Sequence, residues 1–222
     1  MSHGAAILAR DLKLAFRSGG GWFYALFFFA VFTALAGIAF GPSLTSLAAA
    51  APAAIWLAAA LAIQFAAADL FESDLADGSL RVFAAEQHSL FPYWGAKAGL
   101  LARTAAAPMI LAAPFFLTML GVPFGQGIAL AAILIAGAPA LVFIAVLTAA
   151  LSAGLRAGGL LAMVLAAPCT APVLVFGVMA AKAFVAGAGL ASPETLILAA
   201  LSLFMAAATP AFAIAALRVS LE

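Results

Sequence analysis

Two long stretches of the sequence carry no charged residue at all. The first lies between Arg17 and Asp69 and covers 51 positions, and the second lies between Arg103 and Arg156 and covers 52. A helix that crosses the hydrocarbon core of a bilayer needs about 20 apolar residues, so each stretch has room for two such helices and a turn. Only 8% of the 222 residues are charged, which is too few to cover the surface of a soluble domain. The sequence therefore predicts an integral membrane protein.

Turn residues divide the apolar sequence into six predicted membrane-spanning helices. Gly-Pro-Ser at 41–43 separates the first two, and Gly-Val-Pro at 121–123 separates the third from the fourth. The sixth begins at Ser-Pro-Glu, 192–194, where serine suits the N-cap, proline the first helical position and the acid the helix dipole. We expect an all-α polytopic membrane protein, a single domain over 1–222, with spans near 22–40, 46–67, 101–120, 128–152, 158–180 and 195–217.

Lysine and arginine are distributed unevenly over the two faces of this predicted bundle. If the N-terminus is cytoplasmic, only Lys182 lies on the outer side. Because cytoplasmic loops are enriched in basic residues, both termini are expected in the cytoplasm. A cleaved signal peptide ending near 34–36 is the alternative, and the length of the preceding basic region disfavours it. The inner set consists of Arg10, Lys13, Arg17, Arg81, Lys97, Arg103, Arg156 and Arg218.

The N-terminal segment 7–17 has the pattern of a short amphipathic helix. Its apolar residues recur on one face at helical spacing, and its basic residues lie on the opposite face. Such a helix is expected to lie in the cytoplasmic membrane interface, either as a topology anchor or as an elbow that also contacts a partner. The glycines at 19–21 would then let the chain turn into the first span. The basic residues of this elbow helix are Arg10, Lys13 and Arg17.

Five of the eight carboxylates lie in one segment, residues 69–86. This segment falls in the longest predicted inner loop, 68–97, in which Asp77-Gly78 marks a turn and residues 79–86 could restart a helix. The spacing does not match a calcium loop, and no catalytic motif occurs within the predicted spans. We therefore expect a docking surface for a basic partner rather than a catalytic site or a merely solvated loop. The predicted docking residues are Asp69, Glu72, Asp74, Asp77, Gly78 and Arg81.

Three segments outside the predicted spans resemble one known family. They are RDLKLAFR at 10–17, LFESDLADGSL at 70–80 and ALRVSLE at 216–222. Together with the length and the six predicted spans, they make the chain similar to the cytochrome c maturation protein B family, the membrane subunit of a haem-export-type ABC transporter. The resemblance covers the whole chain, and its most specific part is the DLxDGSL core. Arg81 departs from the family pattern, in which an acid is expected.

The resemblance implies a permease of the bacterial inner membrane that is not itself an enzyme. It implies a separate ABC ATPase, a second copy of this chain and other cytochrome c maturation membrane subunits as partners, with no nucleic acid. It also implies a role in haem delivery, with ATP bound by the partner and haem handled by the complex. No catalytic, cofactor-binding or metal-binding residue is expected here. The chain contains no GxxxxGK[ST] phosphate loop, and its two histidines fall outside the predicted spans. A permease for a lipid or drug, or a non-transporting scaffold, is the alternative.

Overall fold

The computed structural model describes residues 3–17, 21–85, 89–155 and 158–221, and within these ranges the regular structure is entirely helical. An amphipathic helix precedes the bundle, and two very short helices interrupt it after the second long one. The helices are, in chain order, α1 (His3–Arg17), α2 (Gly21–Ala39), α3 (Leu44–Ala67), α4 (Glu72–Ala76), α5 (Ser79–Ala85), α6 (Phe91–Leu101), α7 (Ala107–Met119), α8 (Phe124–Ser152), α9 (Gly158–Val185) and α10 (Pro193–Val219).

Five helical segments of the described residues are long and apolar enough to cross a membrane. They are 44–76, 91–119, 124–152, 160–185 and 193–219, and residues 23–39 form a shorter apolar helix. These six segments follow the order of the six predicted spans. The prediction of an all-α polytopic membrane protein is therefore confirmed.

The turns lie where glycine and helix-capping residues predicted them. Gly41 and Gly121 adopt positive φ angles of 77° and 81°, which residues with a side chain rarely adopt. Ser43 caps α3, and Ser192 caps α10 by accepting a hydrogen bond at 3.3 Å from the Thr195 backbone N–H. These capping bonds satisfy backbone N–H groups that have no partner within the helix, and so they fix where each helix begins.

The third membrane segment begins about ten residues earlier than predicted. Helix α6, a π-helical turn (Ala102–Ala106) and α7 form one continuous helical segment from Phe91 to Met119, whereas the prediction placed this span near 101–120. The predicted inner loop 68–97 therefore ends before Phe91, and Lys97 lies inside a helix. Lys97 is therefore a charged residue within the third membrane segment.

The centre of the bundle depends on a tryptophan and two glycines. Trp56 of α3 is almost completely buried where it meets α8 and α9. A Cβ atom at Gly137 of α8 or at Gly177 of α9 would lie 2.5 Å from the Trp56 ring, so any larger residue would clash. The two glycines thus allow α8 and α9 to approach α3 closely, which is the usual role of small residues between membrane helices.

Candidate functional site

Helix α1 packs along α6, which brings its polar side chains close to the start of the third membrane segment. A Cβ atom at Gly4 would lie 2.9 Å from the Pro92 carbonyl oxygen, so glycine permits this close contact. Further along the same interface, the Leu8 side chain lies against Gly99. Three residues after Leu8, this packing places Asp11 beside Lys97.

Four charged residues and a tyrosine from three helices meet in one cluster. Lys97 Nζ lies 2.7 Å from Asp74 Oδ2 and 3.0 Å from Asp11 Oδ2. Arg10 Nε donates to Asp11 Oδ1 at 2.8 Å, and Arg10 Nη2 donates to Asp74 Oδ1 at 3.2 Å. The Tyr93 hydroxyl donates to Asp74 Oδ2 at 2.6 Å. We call these five residues the ion cluster. Asp74 accepts from residues of both α1 and α6.

The ion cluster is electrically balanced, and three of its four charged members are buried. Its two acids and two bases cancel, and the exposed fractions of Asp11, Asp74 and Lys97 are only 6%, 4% and 3%. Charges removed from water are tolerated only when they are paired and hydrogen-bonded, so each member depends on the others. Arg10 is the most exposed of the charged members, with 45% of its side chain accessible. The cluster therefore fixes the relative positions of α1, α4 and α6.

The structure places the predicted docking residues in two different environments. Asp74 points inward and its carboxylate is fully engaged, so it is not available at the surface as predicted. Glu72 Oε1 accepts a 3.4 Å hydrogen bond from the Gly154 backbone N–H in the α8–α9 connection. Asp69, Asp77 and Arg81 are exposed, as the docking prediction requires.

The turn between α4 and α5 displays Asp77 toward solvent. Gly78 has a φ angle of +76°, which lets the chain reverse there, as the Asp-Gly dipeptide predicted. Hydrogen bonds from Ser79, through its side chain and its backbone N–H, hold the pKa of Asp77 below its ordinary value. Beside this turn, 62% of the Val82 side chain is exposed. We call the exposed residues of this region, Asp69, Ser73, Asp77, Arg81 and Val82, the α4–α5 surface.

The elbow helix forms as predicted and begins earlier, at His3. Its basic residues do not all face outward, however. Arg10 is bound to Asp11 and Asp74, whereas Lys13 is exposed. The side chain of Arg17, the glycines at 19 and 20, and the predicted end of the second loop helix at residue 86 lie outside the described part of the chain.

Sequence reasoning missed three members of the ion cluster: Asp11, Tyr93 and Lys97. A signal for them was present, because Lys97 is the only charge in the apolar segment from 89 to 102 and Tyr93 precedes it by one helical turn. An ionisable residue in such a segment calls for a partner of opposite charge. Asp11 could not be chosen as that partner from its position in the sequence, since 86 residues separate it from Lys97.

The described residues contain no group of three or more histidine, cysteine or acidic side chains arranged to hold a metal ion. The ion cluster pairs each carboxylate with a cation or a hydroxyl, and both carboxylates are buried. Its arrangement is suited to joining helices mechanically rather than to proton transfer with a substrate.

The apolar helices, the amphipathic α1 and the buried junction of the short loop helices define a polytopic helical membrane protein with a structured loop at the α1 end of the bundle. Comparison of the sequence with known families identifies it more narrowly. Residues 3–220 match the family model described as CcmB protein, and the chain belongs to that family.

Relatives align with this chain over nearly its whole length. The protein named Heme exporter protein B of Bradyrhizobium diazoefficiens is 37% identical, and the alignment covers 98% of both chains. The proteins of the same name from Paracoccus denitrificans and Rhodobacter capsulatus are 38% and 35% identical, over 98% of this chain and 99% of theirs. The resemblance seen in the sequence is thereby confirmed.

Proposed function

We propose that this chain is the membrane subunit of a haem-export-type ABC transporter acting in cytochrome c maturation, and that a separate ATPase docks on its α4–α5 surface. Membership of the CcmB family, over residues 3–220, is the observation that carries the proposal. The relatives are named as haem exporters, and a transporter of this class needs an ATPase. The sequence contains no phosphate-binding GxxxxGK[ST] loop, which favours an ATPase on another polypeptide.

The α4–α5 surface has the properties expected of such a docking site. It is built on two short helices that follow a membrane helix directly, so a force applied there reaches the bundle through little intervening chain. Asp69 and Asp77 supply negative charge that would complement basic residues of a partner. Val82 has an exposed apolar side chain next to Arg81, and burying it against a partner would favour binding through the hydrophobic effect.

Haem enters the proposal through the relatives rather than through a site on this chain. We propose that the complex delivers haem, or releases a haem chaperone, at the periplasmic side. Other cytochrome c maturation subunits would supply the haem ligands, and a second copy of this chain would complete the permease. Deleting the chain should abolish mature c-type cytochromes, and expressing it again should restore them. Normal cytochrome maturation in the deletion strain would contradict this assignment and favour a different substrate.

In the proposed orientation the helices cross the bacterial inner membrane, and the α1 end of the bundle faces the cytoplasm. It is supported by the basic residues at that end, of which Arg81 is exposed in the described structure. Asp77→Cys in a Cys169→Ser background should react with a membrane-impermeant maleimide only after the membrane is opened. Labelling of intact spheroplasts from the periplasmic side would reverse the topology and remove the basis for ATPase docking.

Docking itself is tested by the double variant Asp77→Lys with Val82→Ser, which reverses a charge and removes the apolar contact without adding a new acid. Both residues are exposed, so we expect normal insertion and at least a tenfold loss of co-purified ATPase, which corresponds to about 1.4 kcal/mol of binding free energy. Lys182→Glu is the control: it reverses a charge on α9, outside the α4–α5 surface, and should leave co-purification of the ATPase unchanged. Equal recovery of the ATPase with all three proteins would refute docking on the α4–α5 surface.

A further inference from the structure

We propose that Asp74 is a positioning residue that fastens the docking helices to α6, so that a displacement of the α4–α5 surface moves the first part of the third membrane segment. This inference rests on the proposed function, because the displacement is supplied by the docked ATPase. It assigns to Asp74 a role that surface docking would not require, since the residue is buried. The role follows from what its carboxylate contacts.

The connection between the docking helices and α6 is made by side chains on both sides of the α4–α5 turn. Asp74 of α4 contacts Tyr93 and Lys97 of α6 at 2.6 and 2.7 Å. The Tyr93 ring also packs against Phe71, just before α4, and Phe83 of α5, with centroid separations of 6.0 and 5.9 Å. Tyr93 of α6 thus contacts residues on both sides of the α4–α5 turn, and its hydrogen bond to the Asp74 carboxylate fixes the position of its ring.

The contacts of Asp74 are of the kind that resists small displacements. Charge-assisted hydrogen bonds are shorter and stronger than neutral ones, and a buried pair that separates leaves an unpaired charge in an apolar environment. Asp74 also contacts Arg10 of α1, so three helices share one carboxylate. Moving α4 away from α6 would separate the Asp74 carboxylate from both Lys97 and Tyr93, and the two helices should therefore move together.

The far end of α6 has a feature at which it could pivot. The π-helical turn at 102–106 follows α6 directly, Pro108 lies at the start of the next helix, and Pro114 lies inside it. A π-helical turn inside an α-helix disrupts the regular hydrogen-bond ladder, and such turns and prolines are the usual positions of helix kinks. A lateral force on α6 would accordingly be absorbed at this turn rather than spread along the whole segment.

Space is available for such a movement beside α6. A groove of about 420 Å³ lies between α6, α7 and α8, beside the point where Trp94 of α6 stacks on Phe143 of α8 at a centroid distance of 5.5 Å. On α6 it is lined by Trp94 and by several small residues, and on α8 by residues that include Pro139 and Phe143. Mobile lipid chains in such a groove could be displaced when α6 shifts. The joint at Asp74, the rigid helix α6 and the π-helical turn together form a lever.

Two double variants separate the joint from the charge balance of the cluster. Asp74→Leu with Lys97→Met removes both the α4–α6 ion pair and the acceptor of the Tyr93 hydroxyl, and it leaves Arg10 paired with Asp11. Asp11→Asn with Lys97→Met removes the same number of charges and the same lysine, yet keeps Asp74 bound to Arg10 and Tyr93. Both retain equal numbers of acids and bases, so both should insert and remain monodisperse. Only the first should uncouple α4 from α6.

The measurement uses the complex with its ATPase and two nitroxide labels, at Phe91→Cys on α6 and Leu151→Cys on α8, in a Cys169→Ser background. Both label positions are exposed. Trapping the ATPase with ATP and vanadate should change the distance between the labels in the wild-type cluster and in the Asp11/Lys97 variant. In the Asp74/Lys97 variant this change should be lost, while co-purified ATPase and ATP hydrolysis stay within twofold of the wild type, a difference that corresponds to about 0.4 kcal/mol.

The proposal is overturned if the wild-type distance does not respond to trapping, if the Asp74/Lys97 variant responds fully, or if both double variants lose the response equally. A wild-type chain that binds no ATPase would instead defeat the proposed function. The joint is then judged in the isolated subunit by hydrogen exchange of residues 72–85. Exchange there should be faster in the Asp74/Lys97 variant than in the Asp11/Lys97 variant, and equal exchange would refute the joint.

Discussion

Removing the charge of Lys97 is the most informative single perturbation of this fold. Lys97→Met keeps the length and apolar stem of the side chain and deletes only the ammonium group. That group lies 2.7 Å from Asp74 and 3.0 Å from Asp11, and 3% of the residue is exposed. The variant leaves two buried carboxylates with a single cation, Arg10. The net charge of the cluster therefore changes from zero to minus one.

The expected loss follows from these distances. Two opposite charges about 3 Å apart interact by roughly 5 kcal/mol at an effective dielectric constant of about 20, before the cost of desolvation is subtracted. Measurements on other buried pairs show that deleting one partner costs about 3–5 kcal/mol, because the other charge is left unpaired. We therefore expect Lys97→Met to lower the free energy of unfolding by about 3–5 kcal/mol.

A second substitution that restores the charge balance should recover most of that loss. Asp11→Asn added to Lys97→Met should return the protein to within about 2 kcal/mol of the wild type, because the remaining Arg10–Asp74 pair is complete. Stability can be followed in detergent or lipid nanodiscs by tryptophan fluorescence during denaturant titration. The reasoning fails if Lys97→Met is as stable as the wild type, or if the double variant is less stable than the single one.

Three further changes test the fold at separate positions. Gly177→Ala places a methyl group against the Trp56 ring and should destabilise the bundle by about 1–3 kcal/mol. At Gly125 a Cβ atom would meet open space, so Gly125→Ala should leave the stability unchanged. Equal melting temperatures for the two variants would contradict the observed packing. Ser192→Ala removes the α10 N-cap and should lower the free energy of unfolding by about 1 kcal/mol, measured by the same titration. An unchanged free energy of unfolding would argue against the capping hydrogen bond. Gly78→Ala forces a positive φ angle on alanine and should destabilise the α4–α5 turn by about 1 kcal/mol. The readout is faster hydrogen exchange of residues 72–85, and unchanged exchange would argue against the observed turn.

The sequence predicted most of the fold because its strongest signals are local. Turn and cap residues such as Gly41, Gly121 and Ser192 act on their immediate neighbours, and each one marks a helix boundary in the structure. The early start of the third membrane segment was missed for the opposite reason. Lys97 suggested a polar loop, and nothing in its surroundings along the chain showed that two distant acids would neutralise it.

The candidate site was predicted only in part. Its location between the second and third membrane segments, its acidic character and the Asp77-Gly78 turn could be predicted, because they are properties of one continuous stretch. The roles of individual acids could not. Asp74 and Asp77 are three residues apart, yet one is buried in the ion cluster and the other is exposed. Which face of a five-residue helix is buried depends on what packs against it.

The sequence by itself determined that this chain is a helical membrane protein with a charged segment at one end, since burial of apolar helices in lipid depends on composition and length alone. The tertiary structure decided which of those charged side chains are exposed to solvent and which form buried ion pairs. That decision required α1, α4 and α6 to meet, bringing together residues 10, 74 and 97. A buried charge is stable only when it is paired with opposite charges, and only the folded chain brings those distant residues into contact.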